Sequence, residues 1–329
     1  MMIRKSLLCA AVMLVGCGRM EREEQFRAVL PTKEMVEVKA PADQGQGLEE
    51  DGVGAQSTQG GRSDMYTLTR GATVLVNGGT LAVLSLVGRV TQHRPTTVTE
   101  DTAVWGPHTE ALSPNTWKLT VKRTGERTYS YTVSAKAKEA ADSAFVDVIS
   151  GTHTAAVNEA DEPMKGFGQG EFTLDWDKAA TLPERDANVG RFTVKYSRQD
   201  AQSVISVDAA FRQVWDDNKS KRVDLDYRYA ATPGQGGQFD FKKVENYLKV
   251  SANPETLTIK SRWLQTGAGR SDVKLSGGDV PAGSELKANE CWDTAFASRF
   301  LWASWANPQD NYGTEATDCA FTPAVYSSL

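Results

Sequence analysis

Residues 117–122 read WKLTVK, and apolar and polar side chains alternate at every position of this run. After a turn at residues 124–126 (TGE), residues 129–134 (YSYTVS) alternate in the same way. Successive side chains of a β-strand point to opposite faces of the sheet. This period of two therefore predicts two half-buried strands separated by a turn.

The same alternation recurs through the middle of the chain. It returns at residues 172–176, 192–196, 223–229, 257–263 and 273–275. Turns rich in Gly, Pro, Asn and Asp separate these runs, and little helical periodicity lies between residues 116 and 276. We therefore predict a mainly β fold, a curved antiparallel meander of about eight to ten strands that forms a half-barrel or a barrel-like sheet.

A helix is predicted before this meander, within a segment covering residues 65–115. Residues 71–88 form an uncharged run between Arg70 and Arg89. Apolar side chains recur at helical spacing in it, at Val83, Leu86, Val87 and Val90. This stripe favours a largely buried core helix. A transmembrane helix and a strand are the alternatives, and polar residues such as Asn77 weaken the transmembrane reading.

The last segment, residues 277–329, is expected to contain a second helix and a disulfide. The helical spacing lies in Trp292, Ala295, Phe296, Arg299, Phe300 and Trp302. The chain has four cysteines, of which Cys9 and Cys17 lie near the N-terminus. If the chain is exported, the other two, Cys291 and Cys319, form a pair that favours one disulfide bond. A metal site is the alternative, but no His or further Cys lies near either sulfur at ligand spacing.

The N-terminus has the zones of an export signal. Arg4 and Lys5 precede an apolar run at residues 7–15, and Gly16 and Cys17 follow it. Residues 14–17 (LVGC) resemble the lipobox of bacterial lipoproteins. An ordinary signal peptide with an incidental cysteine is the alternative.

The lipobox resemblance implies that residues 1–16 are removed and that the Cys17 thiol receives a diacylglycerol, a palmitate-type anchor. By the same resemblance, Gly18 after the cysteine favours the outer membrane over the inner one. Residues 17–64 are rich in Gln, Gly, Ser and acidic side chains, which predicts a disordered, lipid-anchored tether. A short helix near residues 25–30 is an alternative within it. The β-rich domain would then occupy residues 65–329.

Charge and motifs exclude several classes of function. The net charge is −5 and no Lys/Arg run is present, which argues against a nucleic-acid partner. The chain has no Gly-x-Ser-x-Gly nucleophile motif and no phosphate-binding loop, so we predict no cofactor. The three histidines, His93, His108 and His153, lie in no recognisable catalytic or metal-binding setting, and we predict no metal.

Two pairs of carboxylates could form the catalytic site of a surface-anchored hydrolase, which is an alternative function. Asp175 with Asp177 and Asp224 with Asp226 would each place two carboxylates on one strand face. They lie opposite apolar residues, so a solvated polar face is the expected role. We therefore predict that the protein is not an enzyme.

Aromatic side chains provide the candidate binding surface. Ten of them would project to one side of the predicted sheet: Trp117, Tyr129, Tyr131, Phe172, Trp176, Phe192, Tyr196, Tyr227, Tyr229 and Trp263. A curved sheet lined in this way could hold an apolar ligand or a protein partner, or its interior could be filled by the flanking helices.

With anchor, tether and meander together, the chain resembles the half-barrel lipoprotein-carrier folds of the bacterial envelope. Residues 102–107 (TAVWGP) and 290–293 (ECWD) also resemble uncharacterised lipoproteins of myxobacteria-type bacteria, a similarity that covers residues 65–329. The resemblance implies a non-enzymatic, lipid-anchored envelope protein that binds a lipid or a protein. A purely structural envelope lipoprotein is the alternative.

Overall fold

The computed structural model describes residues 20–41, 57–185, 187–216 and 218–329. Five α-helical segments lie in them: α1 (20–28), α2 (Lys33–Val36), α3 (Asp64–Thr91), α4 (Trp176–Ala179) and α5 (Glu315–Asp318). The strands are β1 (Thr97–Val98), β2 (Thr102–His108), β3 (Asn115–Arg123), β4 (Thr128–Ala137), β5 (Val146–Val157), β6 (Pro163–Asp175), β7 (Arg191–Arg198), β8 (Ile205–Trp215), β9 (Arg222–Thr232), β10 (Gly236–Glu245), β11 (Glu255–Leu264), β12 (Gly269–Ser276), β13 (Leu286–Trp292) and β14 (Ser298–Ala303).

The strands form one open antiparallel meander in which each strand lies beside the next one along the chain. The predicted fold class is confirmed, but the sheet has fourteen strands instead of about eight to ten. It begins at Thr97 and continues to Ala303, so it extends into both segments that we expected to be mainly helical.

The C-terminal helix lies at Glu315–Asp318 and not between Trp292 and Trp302, where the helical reading was wrong. That region contains the end of β13, a turn and β14. The register shifts at Cys291/Trp292, and Phe296 has a positive φ of 60° in the turn. The bulge and the turn together place Trp292, Phe296 and Phe300 at intervals of four residues, which imitate a helical period.

The predicted tether is also wrong for residues 20–41. This stretch contains α1 and α2, and it buries Phe26, Val29, Leu30 and Met35. The alternative of a short helix is thus correct, although α1 covers residues 20–28. Residues 42–56 of the predicted tether, and the predicted signal and anchor in residues 1–19, lie outside the described residues.

The chain divides into two compact units. One contains the described parts of Met1–Met35 with Leu81–Val189 and Ser197–Asp200. The other contains the described parts of Val36–Thr80 with Gly190–Tyr196 and Ala201–Leu329.

Helix α3 buries one stripe along its whole length. The buried positions alternate in steps of three and four residues: Tyr66, Thr69, Thr73, Val76, Thr80, Val83, Val87 and Val90. Such a seven-residue repeat keeps one narrow face of a helix against its neighbours. The predicted N-terminal helix is therefore present, and its length and composition would also suffice to cross a membrane. The expectation that it is largely buried was wrong, because only 33% of its most apolar window is buried and Leu86 of the predicted stripe is half-buried.

Threonines can occupy this stripe because their hydroxyl groups have partners within the helix. Thr69 donates to the Met65 carbonyl at 2.8 Å, Thr73 to the Thr69 carbonyl at 2.9 Å and Thr80 to the Val76 carbonyl at 3.0 Å. A buried hydroxyl without a partner would destabilise the fold by about 1 to 3 kcal/mol. The threonines therefore keep the side chains of the stripe small, and each of their buried hydroxyl groups has a hydrogen-bond partner.

Two adjacent glycines of α3 have different surroundings. A Cβ on Gly79 would lie 2.8 Å from Cε1 of the Phe192 ring, whereas a Cβ on Gly78 would meet nothing within 4 Å. Phe192 is fully buried, and its ring centroid lies 4.4 Å from that of Phe211. Gly79 is thus required for close packing, and Gly78 is not.

We expect Gly79→Ala to lower the free energy of unfolding by about 1 to 2 kcal/mol, because overpacking outweighs the gain in helix propensity. Gly78→Ala is the matched control and should raise the free energy of unfolding by about 0.5 to 1 kcal/mol. Urea denaturation of both variants measures the difference. Equal effects of the two substitutions would contradict the packing of Gly79 on Phe192.

The C-terminal tail is held to the sheet by a disulfide and by a buried ionic cluster. Cys291 on β13 is bonded to Cys319, as predicted. Asp272 on β12 is fully buried and accepts hydrogen bonds from Arg270 at 2.6 Å and from the Val325 backbone at 2.9 Å. Arg270 in turn donates to the Phe321 carbonyl at 2.9 Å. The tail therefore supplies partners to buried charges on the strand.

Cys291→Ser should lower the free energy of unfolding by about 3 to 4 kcal/mol, because the bridge spans a sequence separation of 28 residues. Cys319 should then react with a thiol reagent without prior reduction, as peptide mapping of the labelled protein would show. Cys319→Ser is the control and should cause the same loss. Labelling of both cysteines in the unreduced natural protein would exclude the bridge.

Candidate functional site

Nine of the ten predicted aromatic side chains are buried. Their exposed fractions lie between 0 and 7%, and only Trp117 on β3 is half-buried. The predicted aromatic face is thus largely covered by other parts of the protein. Trp176 was wrongly placed on a strand, because β6 ends at Asp175 and Trp176 begins α4.

In the second unit, the rings form a continuous row across neighbouring strands. Phe211 on β8 lies 5.7 Å from Tyr227 on β9, and Tyr227 lies 5.6 Å from Phe239 and 5.0 Å from Phe241 on β10. The ten aromatic residues predicted from the sequence do not include these three phenylalanines. Phe239 and Phe241 alternate with Asp240, so the period-two pattern could have identified them.

The chain itself supplies the partners of these rings. In the second unit, the Phe192 ring touches α3 at Gly79. Burial raises the pKa of the Tyr229 hydroxyl to about 12, while a hydrogen bond with the Lys39 backbone opposes the shift. In the first unit, Phe26 of α1 packs edge-on against Tyr129 at 6.1 Å. An apolar ligand on this face would therefore have to displace side chains already packed there.

A buried carboxylate that was not predicted from the sequence lies at the N-terminal end of α3. Glu290 on β13 is 1% exposed, and its Oε2 accepts a hydrogen bond from the Met65 backbone at 2.9 Å. Burial raises its pKa, and hydrogen bonds with Ser298, the Met65 backbone, Ser57 and Ser63 oppose that shift. A carboxylate at this position also interacts favourably with the helix dipole. Glu290 thus fixes the start of α3 to the sheet.

A row of hydroxyl groups continues from α3 across the same unit. Thr69 lies 2.6 Å from Ser261 on β11, and Ser261 lies 2.6 Å from Ser271 on β12, each measured between hydroxyl oxygens. Ser271 pairs in register with Glu290 on β13. Ser261 and Ser271 each lie between two charged residues of their strand, so the period of two could place each serine on the face opposite its charged neighbours, but the sequence could not show which residues pair.

The first carboxylate pair does not form the predicted strand face. β6 ends at Asp175, whose side chain accepts a hydrogen bond from the Lys178 backbone at 2.9 Å as the N-cap of α4. Asp177 lies within that helix. The prediction of two carboxylates on one strand is therefore wrong here, because a helical turn replaces the end of the strand.

The second carboxylate pair lies on β9 as predicted, on the outer surface. Asp224 accepts hydrogen bonds from Gln213, at 2.8 Å from the backbone nitrogen. Asp226 forms an ion pair with Arg212. Both carboxylates thus stabilise the contact between β8 and β9.

The histidines are in two places within the first unit. The rings of His93 and His108 lie 4.9 Å apart. His153 on β5 is 1% exposed, and burial lowers its pKa to about 4, against an opposing hydrogen bond with the Phe167 backbone. Within the described residues no group of three or more His, Cys, Asp or Glu side chains could hold a metal ion.

No protein-family model, curated protein sequence or solved structure matches this chain.

The buried His153 should make the stability depend on pH. Its folded-state pKa of about 4 lies below its ordinary value of 6.5, so the unfolded chain binds the extra proton. The stabilisation is complete above pH 6.5 and is lost as the pH falls towards 4, by up to about 3 kcal/mol.

His153→Gln should remove this part of the pH dependence. Chemical denaturation at several pH values between 4 and 7 compares the slopes of the two proteins. Parallel curves for the natural protein and the variant would contradict a neutral, buried His153.

Proposed function

We propose that this protein is a non-enzymatic, lipid-anchored protein of the bacterial cell envelope, which acts through the surface of its β-domain. The observation that carries this proposal is the sequence LVGC at residues 14–17, after a basic and an apolar segment. Diacylglycerol on Cys17 would bind the membrane stably, because each buried methylene contributes about 0.8 kcal/mol. Gly18 favours the outer membrane.

The disulfide supports an exported location. Disulfide bonds persist in oxidising compartments, such as the periplasm and the cell surface, and are rare in the cytosol. Cys291 and Cys319 are bonded in a chain whose remaining cysteines, Cys9 and Cys17, belong to the proposed signal and anchor.

The surroundings of the titratable side chains support a role without catalysis. Glu290 and Asp175 cap helices, and Asp226 is held in an ion pair. These contacts give the carboxylates structural roles, so a hydrolase that uses the aspartate pairs is the weaker candidate.

A surface interaction is favoured over an apolar ligand within the sheet. The aromatic side chains that would line such a groove already pack against α1 and α3, as at Tyr129 and Phe192. We therefore place the interaction with a membrane or a protein partner on the outer surface. A purely structural role in the envelope is the alternative, in which deletion would weaken the envelope without loss of any binding partner.

We expect Cys17→Ser to abolish the incorporation of labelled palmitate and the removal of residues 1–16 in a bacterial host. The reason is that the thiol of Cys17 is the proposed acceptor of the lipid. Cys9→Ser is the matched control within the same segment and should be processed as the natural protein is. Fractionation and intact-mass measurement give the readout, and normal processing of Cys17→Ser would overturn the anchor.

A further inference from the structure

The outward face of α3 is apolar. Val74, Leu75 and Leu81 are 48%, 46% and 49% exposed, respectively. Small residues separate them and are also exposed: Gly71, Gly78, Ala82, Ser85 and Gly88. We refer to these eight residues as the outer face of α3.

This composition is unusual for a helix with one side in solvent. An exposed helical face ordinarily carries charged side chains, and a helix that is apolar on all sides is ordinarily buried or lies in a membrane. The sequence has no charged residue from 71 to 88, which corresponds to about 26 Å of helix at 1.5 Å per residue. Only 33% of the most apolar window of α3 is buried within the protein. Burial of the stripe thus explains the apolar side chains on one side of the helix, but it does not explain those on the exposed side.

The charges at the two ends of the run favour a lipid surface. Arg70 precedes the uncharged residues and is half-buried, with its guanidinium carbon 5.8 Å from the centre of the Tyr66 ring, and Arg89 follows them and is exposed. Guanidinium groups beside an apolar surface can lie at the level of lipid phosphates while the apolar side chains enter the acyl region. The arrangement, basic at both ends and uncharged between them, is complementary to an anionic bilayer surface.

We propose that the outer face of α3 contacts the phospholipid bilayer, with the helix lying along the membrane surface. Crossing of the bilayer is not required, because the opposite side of α3 is buried from Tyr66 to Val90. The inference rests on the proposed anchor, which would bring the domain to the membrane. It adds a second contact that would fix the orientation of the helix.

A polarity-sensitive fluorophore at Ser85→Cys tests this contact. The full chain, purified from bacterial membranes, is reconstituted into vesicles of phosphatidylethanolamine and phosphatidylglycerol that contain spin-labelled lipid. Ser150→Cys is the matched control, because Ser150 is also an exposed serine and lies on β5. We expect blue-shifted and quenched emission from the probe at residue 85 and unchanged emission from the probe at residue 150.

Two further variants test whether the quenching depends on the apolar side chains of the outer face. The double substitution Leu75→Glu with Leu81→Glu should abolish the quenching at residue 85, because it places charges on the outer face. Leu112→Glu is the control at a leucine that is 99% exposed elsewhere in the chain, and it should leave the quenching unchanged.

The remaining outcomes distinguish the two proposals. In one outcome the protein floats with the vesicles, but the probe at residue 85 keeps the emission of a probe in water. This outcome overturns the membrane contact and leaves the anchor intact. Disulfide cross-linking between the unlabelled cysteines of two Ser85→Cys chains, formed with an added oxidant in the absence of lipid, also overturns it, in favour of a second copy packed on the small residues. Labelling of Cys17 in the otherwise natural protein would instead overturn the anchor.

Discussion

The second unit depends on the burial of one narrow stripe of α3 against the residues around it. At its start, Tyr66 stacks on Phe296 at 4.2 Å and lies 5.9 Å from Trp292. Further along, Asn77 exchanges two hydrogen bonds with the backbone of Val38. Apolar burial supplies the driving force, and these polar contacts fix the rotation of the helix about its axis. Without that fixed rotation, the glycine at position 79 would not face the ring that it accommodates.

Much of the sheet could be predicted from the sequence, because alternation of apolar and polar side chains is a direct result of strand geometry. The prediction failed where this alternation is interrupted. Only the second half of β6 was predicted, at residues 172–176, because its first half contains Gly166, Gly168 and Gly170, which add no apolar side chain to the pattern. At β13 and β14, a bulge changes the spacing instead.

The stripe of α3 was only half visible in the sequence. Val83, Val87 and Val90 stand out by hydrophobicity, but Thr69, Thr73 and Thr80 count as polar. Their burial follows from hydroxyl bonds that exist only once the helix has formed. Similarly, the period of two placed the aromatic residues on one side of the sheet and left open whether that side is filled; nine of the ten are buried, and the sequence could not say which parts of the chain cover them. The inward Glu290 was missed because a single acidic residue in a strand ordinarily faces solvent.

Two adjacent residues of β13 bind different elements on opposite faces of the sheet, the start of α3 and the C-terminal tail. Glu290 points inward to the start of α3, and Cys291 is bonded to the C-terminal tail. A strand that carries both contacts cannot leave the sheet without releasing the helix and the tail together. The start of the helix and β13, 225 residues apart at Met65 and Glu290, therefore belong to one cooperative unit of unfolding, together with the tail that is bonded to Cys291. Slow amide exchange in this unit would be shared by all three elements, and neither the helix end nor the tail would fray on its own.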